Sequence, residues 1–483
     1  MKPSALGVLF LLLAGAAVAQ PAPADKTTAH TINVPGGAID FSAEVATMRL
    51  ANPQGATQAE IVTTAFLRKG ADAATRPVMF AINGGPGASS AWLDLSAIGP
   101  WRVPFGEGGV IPSRSPLPHD NAETWLDFVD LVFIDPPGTG YSRVTAKEDE
   151  VRRHFYSVDG DIDTLAAVVR RWLETHGRLQ SPKFIVGESY GGFRGPKLAR
   201  ALLDRQGVGI SGLVLISPVL DFDGRDAPWS PLRYVNTLPS MAAAYRNATS
   251  RADLQDVEEY ATGGYLADLL RGEGDTAAVE RLTGRVSALI GLDPALVRRR
   301  AGRIGLSTFL RDRQPGFVDS PYDATVAAAD PFPAAANDNS PDPLLDGMRG
   351  PLTSGMLYVY HTWLDWQPEG APARQYEVLN EQVSREWDYG RRMVRPEVYS
   401  DLRQFLALDP TTRVAVAHGL TDLVTPYFAS ALLLRQTPGF GRAPQTELLT
   451  YPGGHMFYSR DASRAALHRD AAALVSSALA TRP

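Results

Sequence analysis

Apolar residues in this chain fall into two textures. Five short runs are almost unbroken, at residues 78–82, 131–135, 184–186, 213–217 and 414–418. Runs of that kind suit strands of a parallel sheet covered on both faces. Between them the period changes. Over residues 161–176, Ile162, Leu165, Ala166, Val169 and Leu173 share one face of a helix, and residues 196–203 also read as helical. Upstream, residues 43–50 and 60–67 are β-prone. They are punctuated by Pro35-Gly36-Gly37 and Asn52-Pro53-Gln54-Gly55, the turn chemistry of an antiparallel meander.

Strands alternating with helices predict an α/β fold with a mostly parallel central sheet and helices on both faces. In open sheets of this kind ligands bind beyond the C-terminal strand ends, and the glycine-rich stretches of this chain fall there. The alternation breaks over residues 218–351. Helical patterns at 251–261, 278–290 and 294–303 follow one another without clear strands between them. Residues 330–346, rich in Pro, Asn, Asp and Ala, read as an irregular loop. An insertion here would arch over the strand ends as a largely helical cap; the competing reading is a separate helical domain. The expected division is a leader over 1–19, a first core part over 20–217, the insertion over 218–351 and a second core part over 352–483.

Composition narrows the function. A chain of 483 residues, 44% hydrophobic, can bury one large core or two ordinary ones. Its net charge of −6 leaves no electrostatic footprint for nucleic acid or an anionic membrane. The first twenty residues, MKPSALGVLFLLLAGAAVAQ, place one Lys before an apolar run that ends near Ala17-Val18-Ala19. That is the pattern of a secretory signal peptide cleaved after Ala19, and its apolar run is shorter than the ~20 residues of a membrane span. The expected product is exported, periplasmic or extracellular, without stable membrane insertion. Cysteine is absent, which excludes thiol catalysis and thiolate–metal sites. No His, Asp or Glu cluster has ligand spacing, so neither a metal nor a cofactor is expected.

Candidate chemistry centres on Gly187-Glu188-Ser189-Tyr190-Gly191, between an apolar run and a helical pattern. A Gly-x-Ser-x-Gly on a strand–turn–helix junction presents the serine hydroxyl for nucleophilic attack. Of eight histidines, His176 and His468 lie in helical patterns and His30 near the start. His455 differs: it follows Gly453-Gly454 directly after the strand-like residues 447–450. Asp422 sits at the exit of another apolar run, in His418-Gly419-Leu420-Thr421-Asp422. Alone, each is ordinary, a structural histidine and a turn aspartate. Together, Ser189, Asp422 and His455 occur in the order of a hydrolase triad, in which His455 takes the serine proton and Asp422 orients the imidazole. An oxyanion hole needs two converging amides. Tyr190 offers the first, and the Asn83-Gly84-Gly85-Pro86-Gly87 loop the second. That loop lacks the Gly-Lys-Ser/Thr ending of a phosphate cradle.

These residues resemble a known family. Asn83-Gly84-Gly85-Pro86-Gly87-Ala88-Ser89-Ser90, Gly187-Glu188-Ser189-Tyr190-Gly191-Gly192 and Gly454-His455-Met456 are similar to segments of the serine carboxypeptidases, peptidase family S10, as is Asp135-Pro136-Pro137-Gly138-Thr139-Gly140-Tyr141-Ser142. The matches run in family order from about residue 80 to 460, with little signal between 220 and 400. The resemblance implies an α/β-hydrolase that removes C-terminal residues from peptides through an acyl-enzyme. It implies Ser189, Asp422 and His455 as triad, Gly85 and Tyr190 as oxyanion amides, and Asn83, Gly84 and Glu188 as the site of the substrate carboxylate.

Two departures bear on that last assignment. An ionised Glu188 at ~4 Å repels a carboxylate by about 4 kcal/mol at an effective dielectric of ~20, so the site favours a protonated Glu188. The family's second Glu, which shares a proton with the first, falls here on Ala97. Losing that neighbour lowers the pKa of Glu188 relative to the paired arrangement and predicts weaker carboxylate capture near neutral pH, or a substrate without a free C-terminus. Ala88 stands where the family has Cys, and Leu420 where an additional Asp is common. The expected substrate is a peptide or small acyl compound. An esterase or acyltransferase on the same fold, another serine peptidase, and a non-catalytic binding protein are the competing readings.

Overall fold

The computed structural model describes residues 23–105, 116–222, 229–335, 340–368, 375–390, 396–440 and 444–480; the expected signal segment lies outside them. Nine strands follow one path across a single sheet: β1 (Lys26–Val34), β2 (Gly37–Ala51), β3 (Thr57–Arg68), β4 (Val78–Ile82), β5 (Asp130–Ile134), β6 (Lys183–Glu188), β7 (Gly212–Ile216), β8 (Arg413–Gly419) and β9 (Thr446–Tyr451). Their order in space is β1-β2-β3-β5-β4-β6-β7-β8-β9, with a short strand, Arg143–Val144, also paired to β3. β1 to β3 form the antiparallel meander, β3 meets β5 antiparallel, and every pairing from β5 to β9 is parallel. The strand before the Pro35-Gly36-Gly37 turn, β1, begins at Lys26.

The unbroken apolar runs have the cause proposed for them. On β4, Met79 and Ala81 enter one core layer while Val78, Phe80 and Ile82 enter the other. One layer is closed by helix α1 (Val158–Thr175) and helix α2 (Tyr190–Gln206), through Leu165, Trp172 and Leu198. On the opposite face the long C-terminal helix Asp461–Ala480 contributes Leu467, Ala471 and Val475. Burying each such large side chain stabilises the sheet by roughly 1.5–3 kcal/mol. A mostly parallel sheet with β4 and β5 exchanged in order, flanked by helices on both faces, is the α/β-hydrolase arrangement.

Helix α2 starts six residues before the expected 196. Gly191 and Gly192 do not break it, because they sit where the turn needs close approach, and Pro196 is accommodated inside the helix. The stretch after β7 contains helices α3 (Leu232–Arg246), α4 (Thr276–Ile290) and α5 (Leu345–Tyr358). Asp275 caps α4 by accepting from Ala278 N–H at 2.9 Å, and Gly291 ends it in the left-handed region. The boundary drawn at 351 falls inside α5: Pro351 lies mid-helix, and the next sheet strand begins only at Arg413. A small antiparallel pair, Phe317–Asp319 with Ala327–Ala329, interrupts the run of helices. The inserted helices share a core with Leu420, Leu423, Tyr427 and Phe428, which lie on the loop and helix α6 (Tyr427–Leu434) after β8. Among the described residues, no helix is long and apolar enough to cross a membrane.

Candidate active site

Sheet register brings the four candidate loops together. Ile82 pairs with Gly187, so Asn83 leaves β4 beside Glu188 at the end of β6. Ile216 pairs with both Glu188 and Ala417, and Gly419 pairs with Tyr451. The loops after β4, β6, β8 and β9 therefore emerge at the same edge.

Ser189 occupies the tip of the turn between β6 and α2, with φ 59° and ψ −119°. A non-glycine residue held there carries local strain of order 1–3 kcal/mol. The turn is fixed by neighbours: Ser189 N–H donates to Ile216 O at 2.8 Å, and Gly192 N–H to Ser189 O at 2.9 Å. Gly84 lies flush against the start of α2. A Cβ added to it would come within 2.5 Å of the Tyr190 nitrogen, so only glycine lets the loop after β4 approach that amide. Gly85 follows with φ +95°. Gly84, Gly85, Ser189 and Tyr190 all line one cavity of about 240 Å³.

His455 lines the same cavity. Its Nδ1 lies 2.8 Å from Asp422 Oδ2. Asp422 is fully buried and accepts from Val424 N–H, Thr425 N–H and the Thr425 hydroxyl at 2.8, 2.9 and 2.6 Å. Burial alone raises its pKa, but the His455 charge and these donors outweigh it, leaving the carboxyl below the ordinary range. It stays ionised beside the imidazole. His455 N–H donates to Tyr322 O at 2.5 Å, the Tyr322 ring meets the imidazole edge-on at 5.3 Å, and Ser217 Oγ donates to His455 O at 2.7 Å. Thus a segment of the insertion holds the histidine loop directly. Three of the other histidines have structural partners away from the cavity. His176 stacks on Trp172, His468 meets Asp127, and His418 bonds Ser430, its pKa pushed down to about 4 by burial.

Glu188 also lines the cavity, one peptide bond before Ser189, and is 2% exposed. Asn83 Nδ2 donates to its Oε2 at 2.5 Å, and the buried Tyr458 hydroxyl donates to Oε1. Burial raises the pKa of Glu188; His455, Tyr458 and Asn83 pull it down and Asp422 pushes it up, with a net rise. The sequence expectation concerned a different reference, a paired carboxyl, whereas this rise is relative to a free carboxyl and comes first from burial. Ala97 is itself buried in a wide turn of helix, Asp94–Ile98.

All eight sequence-predicted site residues are thus brought to this edge, with Asp422 reaching the cavity through His455. Sequence reasoning missed Thr425, Tyr322, Tyr458 and Arg194. Arg194 projects from α2 and is 1% exposed. It donates to Asp161 Oδ2 at 2.7 Å and Oδ1 at 3.2 Å, and to the carbonyls of Asn83 and Gly84. One guanidinium therefore ties α1, the nucleophile helix and the glycine loop. A cation inside the helix of a nucleophile turn was a readable signal; Tyr458, three residues past His455, carried none. Among the described residues no group of three or more His, Cys, Asp or Glu side chains could hold a metal ion.

Residues 65–260 match the family model for serine carboxypeptidases. The pheromone-processing carboxypeptidase kex1 of Pyrenophora tritici-repentis is 34% identical over 126 residues, which are 26% of this chain and 18% of that protein. Serine carboxypeptidase-like 45 of Arabidopsis thaliana is 28% identical over 156 residues, 31% of each. The aligned segments thus span less than a third of these relatives. Among solved structures, a soluble variant of monoglyceride lipase from Saccharomyces cerevisiae is 12% identical, with 90% of this chain and 96% of that chain covered and a TM-score of 0.37. A proline iminopeptidase of Mycobacterium smegmatis is 13% identical, covering 94% and 100%, with a TM-score of 0.35.

Proposed function

We propose that this chain, which belongs to the serine carboxypeptidase family through residues 65–260, is an exported serine-type carboxypeptidase acting through an acyl-enzyme. One observation carries the reading: Ser189, His455, the glycine loop and the buried Glu188–Asn83 corner line a single cavity. Attack and recognition of a chain terminus fit within one residue's length of each other.

Ser189 Oγ attacks the scissile carbonyl while His455 accepts its proton, and Asp422 stabilises the imidazolium. The Tyr190 and Gly85 amides receive the developing oxyanion. His455 then returns the proton to the leaving amine, and water repeats the sequence on the ester. Glu188, protonated, and Asn83 meet the substrate's terminal carboxylate, with the Gly84 amide beside them. Trp92, Phe222 and Tyr389 offer apolar walls to the flanking side chains.

The test is a peptide and its C-terminally amidated twin, with Ser189→Ala as control. Cleavage of the free-acid peptide alone supports the reading. Equal rates on both, with Ser189-dependent fluorophosphonate labelling intact, transfer the assignment to an esterase or another serine peptidase. Absence of Ser189-dependent labelling transfers it to a binding protein.

A further inference from the structure

The carboxyl that faces the cavity already has two fixed donors. Asn83 cannot turn its amide around, because its Oδ1 accepts Leu93 N–H at 3.1 Å, which leaves Nδ2 for Glu188 Oε2. Tyr458 arrives from the short turn Phe457–Ser459, immediately past the histidine, and gives its hydroxyl to Oε1. Burial and the adjacent Glu188 keep the phenol's pKa well above its ordinary value, so over the working range it is a donor and does not titrate. Donors of this kind favour the ionised form of a carboxyl. That is the form which repels a substrate carboxylate. A second carboxyl in the same place acts with the opposite sign, since two like charges favour retention of a proton.

We propose that Tyr458 is a positioning residue that sets the upper pH limit of carboxylate capture by holding Oε1 of Glu188. The inference rests on the carboxypeptidase reading above. At a pH where Glu188 is ionised, binding a substrate carboxylate takes up one proton from solvent. The proton resides on Glu188, is shared across to the substrate oxygen, and leaves with the product; no covalent bond changes. Tyr458 opposes this uptake by stabilising the ionised state. The other charged groups facing Glu188 are His455, from the loop after β9, and Asp422, from the loop after β8. Both are retained when the phenol alone is altered, so the change is assignable.

The experiment measures KM and kcat for a free-acid peptide and its amidated twin from about pH 5 to about pH 8.5, spanning the carboxyl limb. In the wild-type protein, KM for the free acid climbs with pH while KM for the amide does not. Tyr458→Phe removes a donor to the charged form, and the climb moves up by about one pH unit, so KM on the limb falls by about tenfold. The movement is in KM rather than kcat. Substituting 3-fluorotyrosine at position 458 supplies a stronger donor in nearly the same volume and moves the climb down; it also carries the test if the phenylalanine variant does not fold. A limb that stays in place, or moves the opposite way, in either variant overturns the role of Tyr458. Equal KM for acid and amide in the wild-type protein overturns the carboxypeptidase reading and this inference with it, whereas discrimination with an unmoved limb overturns this inference alone.

Discussion

The site has two halves that share Ser189's turn and differ in how they are built. On the side of β8 and β9, a buried aspartate and a histidine meet at 2.8 Å, with Thr425 donating to the same carboxylate oxygen. Every partner there favours an ionised Asp422. On the side of β4 and β6, a buried glutamate meets an amide and a phenol, and its two donors favour an ionised carboxyl while its burial opposes one. The first half is over-determined and holds one protonation state; the second is balanced, and on the reading proposed above it changes state when a substrate carboxylate arrives. Identical chemistry, a carboxyl out of water, yields a fixed group or a titrating one according to how many donors surround it.

The sharpest way to break this contrast is Asp422→Asn. It keeps the shape of the first half but removes the charge that orients the imidazole, and kcat falls by about 10⁴-fold with KM little changed, read by steady-state kinetics on the free-acid peptide. Arg194→Ala acts on the scaffold beneath both halves. It leaves Asp161 buried without its partner, and unfolding free energy drops by about 3–5 kcal/mol, measured by urea denaturation. An unchanged midpoint and slope contradict the clamp described here. Glu188→Gln converts the balanced half into a fixed neutral one. Because the folded-state pKa of Glu188 is raised, the wild-type group is protonated in acid and loses its proton as pH rises through that value, so its KM climbs with pH. In the variant the climb flattens, and KM for the free-acid peptide on the upper limb falls by about tenfold. The smallest effect belongs to Tyr322→Ala, which removes an edge-on ring from His455 but keeps the backbone carbonyl. Stability changes by about 0.5–1.5 kcal/mol in thermal melts, with a modest loss of kcat.

The difference between the halves also explains what was legible in the sequence. Ser189 and Asp422 each follow an apolar run, and strands buried on both faces announce themselves without alignment because no polar residue interrupts them. His455 follows the more polar edge strand β9 and stood out by the two glycines before it. Gly84 and Gly85 stood out because close backbone approach admits nothing larger. Tyr458 and Thr425 act through side chains that any loop could carry, and their partners lie 270 and 3 residues away, so neither spacing betrays a role. Periodicity found α4 but placed the start of α2 too late and a boundary inside α5. Tertiary packing tolerates Gly191, Gly192 and Pro196 within α2 and Pro351 within α5.

The adjacency of Glu188 and Ser189 has one more consequence. On the carboxypeptidase reading proposed above, the residue that reads the end of a substrate and the residue that cuts it are neighbours on a turn where Ser189 is held at φ 59°, with no flexible segment between them. A shift in that turn re-aims both together, so the chain cannot relax its choice of terminus without also detuning its blade. New preferences must therefore enter from outside, through the walls contributed by the insertion and the loops around it. A ruler and a knife forged in one piece leave only the workbench free to change.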